Sequence, residues 1–241
     1  MSIKLVELNI RHGGGNRISK ILKRITEYNA DVIVLTEFRH NKNYDIIRNK
    51  LHEEGFEWQA AAIENSRANT VFIASKLQFT IYFLIDLPVE CTGRSILVRF
   101  EQFSLMGVYF AQKKEKKLLS DFIMNNITPA LGSRGLIIGD FNTGRHYIDE
   151  PGKTFYCADS FVSLEDSGLI DSWRKRISIR GRFFYRQSAP SVLNKCVIIH
   201  ALKEFLRTPY SPQTETSNVE PAAGAFLRHP SLKSLGILAF F

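Results

Sequence analysis

Cysteine is scarce: the 241 residues hold three, Cys91, Cys157 and Cys196, far apart and odd in number. Such a set builds neither a disulfide framework nor a CxxC metal knuckle, and it fits a reducing compartment. No run reaches the ~18 apolar residues that suggest a membrane span. The first nine residues are too short and too charged for a signal peptide. We therefore expect a cytoplasmic protein without a membrane span. Tryptophan is limited to Trp58 and Trp173, both assigned to the core. Aspartate is absent beyond Asp171.

Charge is unevenly spread. The net charge is +8, yet residues 1–173 carry 21 Lys/Arg against 21 Asp/Glu. Residues 174–241 carry 11 against 3, so the whole excess lies there. A nucleic-acid-binding domain normally shows a basic face on its folded part. Here the excess marks a change of sequence character near residue 174.

With 44% hydrophobic and 23% charged residues, the composition is that of a globular chain, one large domain or two small ones. The first part alternates strands and helices. Residues 3–10 (IKLVELNI) alternate as a strand, and His12-Gly13-Gly14-Gly15-Asn16 breaks it. Residues 17–28 carry Ile18, Ile21, Leu22 and Ile25 at helical spacing, with Asn16 as the expected N-cap. Residues 31–37 (DVIVLTE) form a nearly continuous apolar run, the mark of a strand buried on both faces. A second helix is expected over 44–54, with Asn43 as its N-cap.

Short β candidates then follow at 57–63, 70–74, 79–84, 95–100 and 103–110, with no helix between them. Helix returns over 113–125. GLIIG at 135–139 is a short strand leading into Asp140-Phe141-Asn142-Thr143-Gly144, and 161–167 reads as helix. This order excludes a purely doubly wound sheet. It fits an α/β (α+β) layered sandwich of two mainly antiparallel sheets with outer helices.

The polar residues of interest stand where strands stop: Asn9, Glu37, then Asp140 and Asn142. Strand ends fix backbone while leaving side chains open to a substrate. Carboxylates and amides are hard oxygen ligands, which select Mg²⁺ or Mn²⁺ over zinc. Asp140 is placed to orient or deprotonate a water. The Asn142 amide can hold a phosphate oxygen without adding negative charge. Together these suit metal-assisted phosphodiester hydrolysis. Taken singly, Asp-x-Asn-x-Gly is an ordinary turn and a strand-end Glu an ordinary surface residue. The ordered combination carries the reading.

LNIRHGGG (8–15), VIVLTEFR (32–39), NTVFIASK (69–76), MGVYFAQ (106–112), LIIGDFNTG (136–144) and LEDSGLIDSWR (164–174) run in one order along the chain. In this the sequence resembles the endonuclease/exonuclease/phosphatase superfamily, the fold of DNase I and exonuclease III. The resemblance implies a divalent-metal-dependent phosphoester hydrolase. It implies that Glu37 ligates the metal with Asn9 nearby, and that Tyr109 contacts the substrate phosphate. Asp140 would activate water and Asn142 would position the phosphate. The expected partner is a phosphoester substrate, DNA among the candidates, and the expected state a monomer. His12 and His40 lie beside two of the motifs, and the Gly13–Gly15 amides are candidates to approach a phosphate.

The family closes with an Asp-His pair, and no Asp follows Asp171 here. His200 and His229 remain without the expected partner. Residues 1–176 are therefore read as an incomplete domain of this type, and 177–241 as a divergent or out-of-frame tail. Activity is expected to be impaired. Three other readings stay open. One is a non-catalytic remnant or binding module. Another is a phosphatase for lipid or small-molecule phosphate esters. The last is a basic nucleic-acid-binding extension.

Overall fold

The computed structural model describes residues 3–131, 134–149, 152–172, 199–202 and 237–240, the last two as backbone strands. Trp173, Cys196, His229, the side chain of His200 and most of the expected divergent tail lie outside the described residues.

Two sheets face each other. The first holds β1 (Lys4–Asn9), β2 (Val32–Phe38), β3 (Trp58–Ala61), β4 (Thr70–Ser75) and β11 (Ile237–Phe240), in the order β11-β1-β2-β4-β3. The second holds β5 (Thr80–Tyr82), β6 (Ser95–Arg99), β7 (Ser104–Tyr109), β8 (Arg134–Asp140), β9 (Leu169–Asp171) and β10 (Ile199–Leu202), in the order β5-β6-β7-β8-β10-β9. Among the described residues only β1–β2 and β7–β8 pair in parallel, and the other pairs are antiparallel. The expected sandwich is thus the observed one. Both parallel pairs are joined through helix, as parallel crossovers require.

The alternation of each strand sorts its residues into layers. Leu5, Val32, Val34, Val71 and Ile73 of the first sheet meet Val98, Leu105, Leu136 and Ile138 of the second in the inter-sheet core. Val6, Leu8, Ile33 and Leu35 face the other way. They pack on Ile21 and Ile25 of α1 (Ile18–Tyr28) and on Ile47 and Leu51 of α2 (Tyr44–Glu53). Behind the second sheet, Leu97, Met106, Val108 and Ile137 pack on α3 (Lys116–Phe122) and α5 (Ala158–Asp166).

Some local expectations give way to tertiary contacts. Asn16 does not cap α1; the N-cap is Arg17, without a side-chain cap bond. Asn43 stands at the N-cap of α2, but its amide donates to the Gly13 and Gly15 carbonyls at 2.9 Å instead. Trp58 is 37% exposed on edge strand β3, not a core residue. The helix expected over 113–125 begins as a 3-10 turn at Lys113–Glu115. It passes through α3 and a π turn at Ile123–Ile127 into α4 (Thr128–Leu131). Pro129 cannot donate to the carbonyl four residues back, which accounts for the widened turn before it.

Candidate active site

The inner-face alternation that buries Leu5, Val34, Leu105 and Ile138 continues to the strand ends. Beyond Leu5 on the same face come Glu7 and Asn9; beyond Ile138 comes Asp140; beyond Leu105 comes Tyr109. The C-terminal ends of both parallel pairs therefore turn polar side chains to one end of the space between the sheets. The register sets Asn9 beside Thr36 and Tyr109 beside Asp140.

Glu37 reaches the cleft by a different route. The β2–β4 register shifts between Leu35 and Phe38, and Glu37 itself has φ 56°. A bulge of this kind re-aims a side chain. Gly139 makes a close strand pair possible: a Cβ there would lie 1.8 Å from the Val108 carbonyl oxygen.

The contacts join these ends. Asn9 Nδ2 donates to Glu37 Oε1 at 2.9 Å and to Asp140 Oδ2 at 2.8 Å. Asn9 Oδ1 accepts from the Arg11 N–H at 2.9 Å, which fixes the amide's orientation. Asp140 Oδ1 accepts from the Asn142 N–H at 3.0 Å. Asn142 sits at φ 48°, a conformation asparagine tolerates, and its side-chain nitrogen donates to the Phe110 carbonyl at 2.8 Å. One Asn142 amide hydrogen stays outside that bond. Asn69 Nδ2 donates to the Tyr109 hydroxyl oxygen at 3.2 Å, so the phenol keeps its own hydrogen to donate.

The electrostatics follow from burial. Asp140 is 2% exposed, and burial pushes its carboxyl up to about 6, against the Asn142 N–H and the Asn9 amide, which favour the charged form. Glu37 nearby pushes it the same way as burial. Burial also raises the Tyr109 phenol, helped by Glu37. Lys116 is 2% exposed; burial lowers its ammonium, while Cys157 and Asp140 pull it back up. Lys116 Nζ donates to the Asn142 carbonyl.

Glu37, Asn9, Asp140 and Asn142 are thus brought together, and Tyr109 pairs in register with Asp140. His40 is exposed and packs its ring on Tyr44 at 4.4 Å. Gly13 and Gly14 are buried, and a Cβ on Gly13 would meet Asn41 Nδ2 at 2.3 Å. That run supplies the positive φ of a tight loop, with Gly13 and Gly14 buried and Gly15 half-buried.

Three neighbours were not singled out from sequence. Arg39 and Asn69 lie inside strand motifs but carry no pattern of their own. Lys116 belongs to KKEKK, which reads as a solvated face.

No protein-family model and no curated protein matches the sequence. Solved structures do match. An AP endonuclease from Archaeoglobus fulgidus superimposes with TM-score 0.64 at 15% identity, over 82% of this chain and 86% of that one. The 3′ phosphatase NExo from Neisseria, bound to product DNA hairpin, gives 0.65 at 19%, over 83% and 86%. The 3′-5′ exonuclease NExo from Neisseria meningitidis gives 0.58 at 18%, over 72% and 74%. The fold is DNase I-like. The architecture implied by the sequence resemblance is the one these enzymes share.

Among the described residues no three His, Cys, Asp or Glu side chains form a ready-made metal cluster. One carboxylate, Glu37, is enough to fit Mg²⁺, which takes one or two carboxylates and completes its shell with water and phosphate oxygen. Each Glu37 oxygen accepts one protein N–H, from Asn9 or from His12, and keeps a further lone pair.

Proposed function

We propose that the chain is a divalent-metal-dependent phosphoester hydrolase of the endonuclease/exonuclease/phosphatase type. The observation that carries this reading is the Asn9 amide donating at once to Glu37 and Asp140. A structural asparagine has no need to hold two carboxylates together where strands of two sheets end, and doing so concentrates negative charge.

Glu37 would hold Mg²⁺ or Mn²⁺, with Asn9 setting the carboxylate's orientation, and the ion would supply charge neutralisation at the phosphate. Asp140, its carboxyl raised by burial to about 6, orients a water and accepts its proton. Tyr109 donates its O–H, and Asn142 its remaining N–H, to phosphate oxygens. Such preorganised donors are the main protein contribution to phosphoryl transfer. The structural neighbours point to DNA phosphoesters as the first substrates to try. The balanced charge of residues 1–173 argues for contact at a DNA end or lesion over wide backbone binding.

The sequence lacks an Asp-His pair after Asp171, and losing one transition-state donor typically costs on the order of 10²–10³ in rate. The chain is therefore a slow enzyme. The test is an Mg²⁺-dependent screen over abasic, nicked and 3′-phosphorylated DNA and over phosphate monoesters. Turnover that disappears in both Glu37→Ala and Asp140→Ala supports the reading. Metal binding without turnover on any substrate leaves a binding module.

A further inference from the structure

We propose that His12 is a catalytic residue that donates Nε2–H to the substrate phosphate, and that Arg39 is the positioning residue that sets its tautomer. The inference rests on the phosphoesterase reading above.

The argument begins with the backbone. Arg11 and His12 stand at φ 53° and 54°, followed by Gly13 to Gly15, all at positive φ. Two successive non-glycine residues in the left-handed region are strained, and such strain persists only where the surroundings over-determine it. They do so here. Arg17 donates to the Ile10 and Arg11 carbonyls at 3.0 and 3.2 Å. Asn43 holds the Gly13 and Gly15 carbonyls, and Asn41 the His12 carbonyl at 3.3 Å. The result is that the His12 N–H donates to Glu37 Oε2 at 3.0 Å and the ring lies over the same oxygen, Nδ1 at 3.2 Å.

Arg39 then decides what the ring can do. Its Nη2 lies 2.7 Å from His12 Nδ1. A guanidinium has only donors, so Nδ1 must be the acceptor and carries no hydrogen. Nδ1 cannot then donate to Glu37, and the neutral ring's hydrogen sits on Nε2. The side chain is 69% exposed, and among the described residues nothing hydrogen-bonds Nε2. Arg39 is itself fixed: Nε donates to Asn69 Oδ1 at 2.5 Å, and Asn69 donates on to Tyr109. One chain of bonds thus links a donor on the second sheet, the Tyr109 hydroxyl, to a donor in the turn after β1, His12 Nε2–H. A metal-ligand role through Nδ1 is disfavoured because Arg39 occupies that lone pair.

The test joins activity to a spectroscopic readout. In ¹⁵N-histidine NMR of the wild-type chain, His12 should show Nε2 protonated and Nδ1 bare. Arg39→Met should mix the tautomers, and Arg39→Lys should restore the wild-type pattern. His12→Ala should lower kcat on the order of 10²–10³-fold while Mn²⁺ affinity holds within about twofold, and His12→Gln should recover part of the rate. Wild-type kcat in His12→Ala, lost Mn²⁺ affinity, or a hydrogen on Nδ1 would each overturn the proposal. A wild-type chain with no phosphoester turnover at all overturns the parent reading along with it.

Discussion

Asn9 and Asp140 meet at 2.8 Å although 131 residues separate them in the chain. Each closes a strand of a different sheet, so their bond clasps the open end of the sandwich. Asn9→Ala removes one of the two donors that Asp140 faces and leaves a buried acceptor without that partner. Such a loss costs about 1–3 kcal/mol. Asn9→Asp should be worse, since it sets a third carboxylate against the other two. Urea unfolding at pH 7.5 checks the ranking wild type, Asn9→Ala, Asn9→Asp. An Asn9→Asp chain as stable as wild type would show that the cleft does not concentrate negative charge.

The Asp140 carboxyl predicts a stability slope of unusual sign. Its folded pKa is raised from 3.8 to about 6 by burial. Between those values the folded state holds a proton that the unfolded state has lost. Stability from this group is therefore full below pH ~4 and is lost as pH rises through ~6, by about 3 kcal/mol at the 1.36 kcal/mol per unit of a pKa difference. Other carboxylates add their own slopes, so the comparison is with Asp140→Asn, in which this fall should vanish. Denaturant midpoints at pH 4.5 and 7.5 for both proteins decide it. Activity should run the other way and rise through pH ~6, because the base needs the ionised form.

The sandwich was legible in sequence because it follows from strand periodicity, and the grouping of Asn9, Glu37, Asp140 and Asn142 was legible from their order at strand ends and from the family resemblance. Alternation that buries Val34 and Ile138 also assigns a face to the residues beyond them. Glu37 was legible as a strand end, but its route into the cleft was not, since a bulge has no two-residue period. The cap positions failed for a related reason. Asn43 satisfies carbonyls of a loop about 30 residues earlier, and no local rule weighs a donor's distant alternatives. Lys116 was invisible because a run of lysines reads as solvated, and only the packing of α3 shows which one is buried.

Gly139 tests how tightly β7 and β8 must approach. An added Cβ would stand 1.8 Å from the Val108 carbonyl oxygen, and the residue sits at φ 152°. Backbone must move, and the displaced neighbours are Tyr109 and Asp140. Gly139→Ala should therefore cost on the order of 3 kcal/mol or more, in the range reserved for strain at special backbone sites. Gly152→Ala, where a Cβ meets nothing within 4 Å, serves as the control and should keep the wild-type melting temperature. Equal melting temperatures for the two variants would mean that the strand pair adjusts freely.

Lys116 separates stability from activity. Its ammonium is buried and donates to the Asn142 carbonyl, while Asn142 in turn donates to Asp140. Burying a cation is costly, and one hydrogen bond to a neutral carbonyl recovers only part of that cost. Lys116→Met keeps the length of the side chain and removes the charge. The lost bond and the relieved desolvation oppose each other, so stability should change by no more than about 1 kcal/mol. Activity should fall much further. The Asp140–Asn142 turn loses its anchor, and a ~1 Å misplacement of a catalytic group can cost about 10²-fold. Thermal unfolding and kcat on the same preparation check both halves. A melting temperature that collapses together with activity would assign Lys116 to the core, whereas unchanged activity would show that the turn holds its shape through the Asn142–Phe110 bond alone.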